Sequence, residues 1–107
     1  MQAFEHLYET IIARRDNPQE GSYTCYLFDK GQDKVLKKLG EECAEAIIAA
    51  KNNDKQELVN ELCDLAFHAA VLMAQMEIQP EEIEAELSAR AQKAGNLKQF
   101  HQVDKNT

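Results

Sequence analysis

Two carboxylate doublets carry the strongest chemical signal in this chain: Glu42-x-x-Glu45 and Glu61-x-x-Asp64, with Glu41 beside the first and residues 46–60 between them. In a helix, a spacing of three puts both members of a doublet on one face, so two antiparallel helices can aim four carboxylates into one cleft. Such a cleft repels itself unless it holds a cation. An oxygen-only donor set selects hard ions, Mg²⁺ or Mn²⁺, and carboxylates that share a metal with substrate phosphates are common where phosphoric anhydrides are cut.

Charged helix faces are usually no more than solvated surface. Two features set this one apart. Glu41, Glu42 and Glu45 crowd one arc, and no Lys or Arg follows Glu42 or Glu45 at i+4, where a surface tuned for stability interleaves signs. The second doublet also lies beside an apolar stripe rather than opposite it, and partial burial of carboxylates is costly unless something positive binds there. Lys34 and Lys38 share the acidic arc and can balance the charge of a polyphosphate. Ser22 and Thr24 offer hydroxyls that cap a short helical turn closed by Gly31, the plainer reading, or hold phosphate. His68 stands one turn beyond Asp64, where it can orient a carboxylate, touch a phosphate or base, or only hydrogen-bond within a bundle. Arg90 has a plain i, i+4 partner in Glu86, so spacing alone argues weakly for phosphate binding there.

The elements that must position these residues are helical. Residues 3–15 place Phe4, Leu7, Tyr8, Ile11 and Ile12 at helical spacing, ended by the segment holding Asn17, Pro18 and Gly21. A long helix from Asp33 to Lys51 carries an apolar stripe of Val35, Leu36, Leu39, Cys43, Ala46, Ile47 and Ala50. Asn52, Asn53 and Asp54 make the next turn, with Asp54 as N-cap. The following helix, Lys55 to Met76, faces a core with Leu58, Leu62, Leu65, Ala69, Leu72, Met73 and Met76. Ile78 before Gln79-Pro80 staples a last helix that turns Ile83, Leu87, Ala91 and Ala94 inward and stops at Gly95-Asn96. The expected architecture is all-α: a bundle of about four helices around a central antiparallel hairpin, in one domain over residues 1–96, with residues 97–107 a tail without clear pattern.

Composition narrows the function classes. A chain of 107 residues builds one modest core and gains from a partner subunit. Its net charge of -7 argues against a general nucleic-acid or anionic-membrane surface. Cys25, Cys43 and Cys63 are odd in number, lie in helical patterns and read as small apolar residues in a reducing compartment. No apolar stretch reaches the ~18 residues of a membrane span, and no leader-like segment opens the chain, so a cytoplasmic location is expected.

The segments Ser22-Tyr23-Thr24, Leu27-Phe28, Gly31 and Asp33-Lys34-Val35-Leu36-Lys37-Lys38-Leu39-Gly40-Glu41-Glu42 resemble the phosphoribosyl-ATP pyrophosphatase family. Ala44-Glu45, the run from Ile47 to Lys51, Glu57-Leu58, Glu61, Asp64-Leu65, His68, Val71, Leu87 and Arg90 continue the likeness, which spans roughly residues 4–90. The doublets by themselves point only to the wider MazG-like superfamily of all-α nucleoside triphosphate pyrophosphohydrolases. The resemblance implies Mg²⁺-dependent hydrolysis of phosphoribosyl-ATP to phosphoribosyl-AMP and pyrophosphate, in histidine biosynthesis, by a homodimer. On that reading Glu42, Glu45, Glu61 and Asp64 hold the metal, and Glu41 ligates through water or acts as general base. Lys34, Lys38 and Arg90 add positive charge at the phosphates. Phe67, where Tyr is common in the family, and the small Ala69 and Ala70 are departures that look like packing changes. Two other readings stand beside it: a pyrophosphatase of ordinary or damaged nucleoside triphosphates, and a non-catalytic helical module whose acidic face is merely solvated.

Overall fold

The computed structural model describes residues 2–93. Five α-helices follow one another: α1 (Gln2–Asp16), α2 (Tyr23–Lys30), α3 (Gln32–Lys51), α4 (Lys55–Gln75) and α5 (Pro80–Gln92), with no strand among the described residues. The expected short turn after Ser22 is a full helix, α2. Ser22 Oγ caps it by accepting from the Cys25 amide at 3.2 Å, and the Gly31 amide closes it on the Leu27 carbonyl at 3.0 Å. Gly31 has φ of 91°, a conformation that disfavours side chains, and it lets α3 begin immediately in a new direction.

The Asn52–Asp54 turn folds α3 back on α4 as expected. Asn53 takes φ of 57°, and Asp54 Oδ1 accepts from the Glu57 amide at 3.1 Å. This antiparallel hairpin is the most extensive helix contact in the molecule, and α1 and α2 cover one end of it. There Tyr8, Ile11, Leu27, Val35, Ala70, Val71, Met73 and Ala74 form the core, with Phe4, Leu7, Ile12, Phe28 and Phe67 packed around them. Burying an aliphatic side chain as completely as Ile11, Leu27 or Val71 contributes about 1.5–3 kcal/mol. The Tyr8 hydroxyl donates to the Ile78 carbonyl at 2.8 Å and pins the α4–α5 connection to α1.

The structure corrects the expected faces in three places. On α3 the buried line is Val35, Glu42, Ala46 and Ala49, while Leu36 and Ile47 are 44% and 64% exposed and Cys43 and Ala50 also face outward. Small alanines let two helices approach closely, so the seam takes the smallest side chains and a carboxylate rather than the largest aliphatics. On α4 the buried set is Glu61, His68, Ala70, Val71, Met73 and Ala74, whereas Leu62 and Met76 are exposed. On α5, Ile83, Leu87 and Ala91 are exposed too, because among the described residues that helix packs only on α1. Ile83 and Leu87 instead line an open groove with Phe4 and Pro80, rimmed by Glu81 and Glu84. Ala94, Gly95-Asn96, the boundary at 96 and the tail 97–107 lie outside the described residues. No helix among the described residues is long and apolar enough to cross a membrane.

Candidate metal and phosphate site

The hairpin brings one oxygen each of Glu42, Glu45 and Glu61 within 4.8 Å of one another. Glu42 is 6% exposed and Glu61 9%, with Glu45 at the open side. With every carboxylate ionised, Glu42 Oε2 and Glu61 Oε1 are buried without a hydrogen-bond donor. A shared proton supplies one. The Glu61 carboxyl is accordingly pushed up to about 8, by hydrogen bonding with Glu57, then by burial, and then by hydrogen bonds with Glu45 and Glu42 and repulsion from Glu45. Three to four carboxylates around orphaned buried oxygens are the donor set a hard divalent cation requires, so these residues fit Mg²⁺ or Mn²⁺.

Asp64 lies outside this group of three, exposed on α4, with its backbone carbonyl 2.8 Å from His68 Nδ1. Glu57, one turn before Glu61 on α4, is a further neighbour, its side chain hydrogen-bonding to that of Glu61. Its signal in the sequence is the spacing Glu57-x-x-x-Glu61, one helical turn. Glu41 is exposed and paired with Lys38 at 3.2 Å; their hydrogen bond holds the Glu41 carboxyl below its ordinary range and the Lys38 ammonium above its own.

The expected phosphate ligands are divided. Lys34 and Lys38 stand on the α3 face that leads to Glu42, with Lys34 Nζ 5.9 Å from the centre of the Tyr26 ring. Ser22 is committed to its cap, and Thr24 is half-buried in the first turn of α2. Arg90 binds Glu86 at 3.0 Å on α5, which among the described helices touches only α1, so within one chain it lies away from the carboxylates. His68 is 5% exposed. Its Nδ1 can only donate to the Asp64 carbonyl, so in the neutral ring Nε2 accepts from the Tyr23 hydroxyl at 2.9 Å.

An all-helical bundle whose hairpin seam buries clustered carboxylates places the protein in a class, the all-α MazG-like pyrophosphohydrolases. Residues 4–91 match the family model described as phosphoribosyl-ATP pyrophosphohydrolase. A phosphoribosyl-ATP pyrophosphatase of Streptococcus thermophilus is 52% identical over 87% of this chain and 89% of its own length. Proteins of the same name from Clostridium novyi (51% identical; 88% of this chain and 86% of the relative) and Bacillus thuringiensis (50%; 94% of each) agree. The chain belongs to the phosphoribosyl-ATP pyrophosphohydrolase family.

Proposed function

We propose that this chain is a phosphoribosyl-ATP diphosphatase that works as a homodimer with a divalent cation at the hairpin carboxylates. The reaction is hydrolysis of phosphoribosyl-ATP to phosphoribosyl-AMP and pyrophosphate, the second step of histidine biosynthesis. The observation that carries the site is the convergence of Glu42, Glu45 and Glu61 with buried oxygens that lack donors.

Glu42, Glu45 and Glu61 would hold Mg²⁺ or Mn²⁺, with Asp64 one turn along α4 and Glu57 beside Glu61 completing the oxygen donors. When bound, the ion supplies charge neutralisation for the departing pyrophosphate and lowers the pKa of the attacking water. Glu41, kept ionised by Lys38, is the proposed acceptor of that water's proton. Lys38, nearest the carboxylates, would approach the triphosphate from the N-terminal half of α3, and Lys34, one helical turn further away, adds positive charge for the substrate's phosphates at that end.

The homodimer is supported by the outward apolar face of the hairpin. Leu36, Cys43 and Ile47 repeat at i, i+7 and i+11 on α3, and Val59, Leu62 and Cys63 share a face of α4; all six are exposed. A second copy would cover side chains that otherwise meet water, each worth about 1.5–3 kcal/mol when fully buried. A cytoplasmic location suits a reaction on free nucleotides.

The test is to incubate purified protein with phosphoribosyl-ATP, ATP and a panel of nucleoside triphosphates, with and without Mg²⁺, and to measure pyrophosphate and the monophosphate product. Rapid Mg²⁺-dependent release from phosphoribosyl-ATP alone is expected. Equal or faster turnover of ordinary triphosphates would overturn the substrate assignment.

A further inference from the structure

The side chain that His68 holds has no part in the chemistry described above. Tyr23 is 45% exposed, and Phe67 stacks on it with ring centres 5.9 Å apart and planes 27° from parallel. Tyr26, one helical turn along α2 and 40% exposed, stacks on it at 5.9 Å and 20°. His68 meets both Tyr23 and Phe67 edge-on, at 5.7 and 5.1 Å. A buried imidazole anchored at Nδ1 by a backbone carbonyl therefore fixes the hydroxyl end of an exposed ring, while Phe67 fixes its inclination. Solvent-facing aromatic side chains held in place by their neighbours offer π-faces on which nucleobases stack.

The platform lies between two charged ends. Lys30 and Lys34 reach the Tyr26 ring at 5.7 and 5.9 Å. On the other side, the Tyr23 hydroxyl meets His68 on α4, seven residues or about 10 Å along the helix from Glu61 at the carboxylate end. Along α3 the step from Lys34 to Glu42 is eight residues, a rise of about 12 Å. The substrate is charged in the same order: a flat adenine with a triphosphate-bearing ribose on one edge and a monophosphate-bearing ribose on the opposite edge.

We propose that Tyr23 and Tyr26 form the stacking platform for the adenine ring, that Lys30 and Lys34 bind the monophosphate of the second ribose, and that His68 is a positioning residue for Tyr23. The proposal rests on the substrate assigned above and adds how that substrate is told from ATP, which lacks the second phosphate-bearing arm.

The experiment compares steady-state kinetics on phosphoribosyl-ATP for wild type and variants whose circular dichroism and melting are recorded alongside. Tyr23→Ala should raise KM about tenfold, with the loss mainly in KM, as expected for lost stacking. Tyr23→Phe keeps the ring and removes only the hydroxyl, which guards against a variant that fails to fold. Tyr23→Phe and His68→Gln should each raise KM about two- to fivefold, and the double variant no more than either alone, since both break one hydrogen bond. Lys30→Gln with Lys34→Gln should weaken binding of phosphoribosyl-AMP, measured by calorimetry, about tenfold or more while shifting AMP binding less than about twofold. Wild-type KM in a folded Tyr23→Ala protein, additive effects in the double variant, or equal losses for the two monophosphates would overturn the proposal. A wild-type protein inert toward phosphoribosyl-ATP would overturn the substrate assignment and the platform together, whereas an active wild type with an indifferent Tyr23 overturns the platform alone.

Discussion

At the end of the hairpin covered by α1 and α2, Val35 and Val71 are fully buried beside Leu27 and Ile11; toward the turn, the buried residues include Glu42 and Glu61, while Ile47, Ile48, Val59 and Leu62 are 47–64% exposed. One end is packed as a stable core is packed, apolar inside. The other inverts that pattern, with carboxylates in the seam and aliphatics outside. The inversion costs stability in an isolated chain, because buried carboxylates without donors are unfavourable and exposed aliphatics gain nothing. A cation inside and a second subunit outside would remove both costs. On the proposed function, fold and chemistry would rest on opposite ends of the same two helices.

Substitutions at the two ends should part company, and the largest effect is expected at the acidic end. Glu61→Gln or Glu42→Gln should lower kcat by about 10²–10³-fold or more. The metal-free melting temperature should hold or rise, because an amide supplies a hydrogen-bond donor among carboxylate oxygens that lack one. At the covered end, Leu27→Ala should cost about 2–5 kcal/mol in denaturant unfolding. Its specific activity at low temperature should stay close to wild type. If Glu61→Gln instead unfolds the protein, or Leu27→Ala abolishes turnover in folded protein, the division between the ends is lost.

Charge placed on the outward face comes next. Ile47→Asp combined with Leu62→Asp should shift sedimentation from dimer to monomer at micromolar concentration. Wild type that sediments as a monomer would remove the proposed interface.

The pH dependence of stability sharpens the comparison further. In metal-free protein Glu61 keeps its proton up to about 8, whereas in the unfolded chain it ionises near 4.5. Between those values the folded state binds more protons than the unfolded state. The contribution is therefore fully present below about pH 4.5 and is lost as pH rises through 8. Mg²⁺ competes with the same proton, so its stabilising effect should grow with pH. Melting curves at about pH 6 and pH 9, with and without Mg²⁺, read this directly, and Glu61→Gln should flatten the difference. The smallest effect lies at the turn itself, where Asp54→Ala removes a cap and should cost about 1 kcal/mol.

The helices were legible because they are punctuated by chemistry that acts locally. Ser22, Gly31, Asp54 and Pro80 start or stop α2 to α5 where their backbone and side-chain preferences say they should. Which face of each helix turns inward was less legible. Leu36, Ile47 and Leu62 are the larger aliphatics and read as core, yet the seam went to Ala46, Ala49, Glu42 and Glu61, because helix rotation is set by close approach to a neighbour that periodicity does not reveal. The convergence of Glu42, Glu45 and Glu61 was legible from their spacing on the two helices of the hairpin. The contacts of Glu57 with Glu61 and of Tyr23 with His68 were less legible, since Glu57 also follows the Asp54 cap and His68 lies 45 residues from Tyr23.

Whether the hairpin carboxylates hold a divalent ion is measured most directly by a Mn²⁺ titration followed by electron paramagnetic resonance for wild type and the Glu42→Gln, Glu61→Gln double variant. Wild type should deplete the free Mn²⁺ signal and release it to excess Mg²⁺, while the double variant leaves the signal at the level of buffer. Equal Mn²⁺ uptake by the two proteins would contradict the assignment.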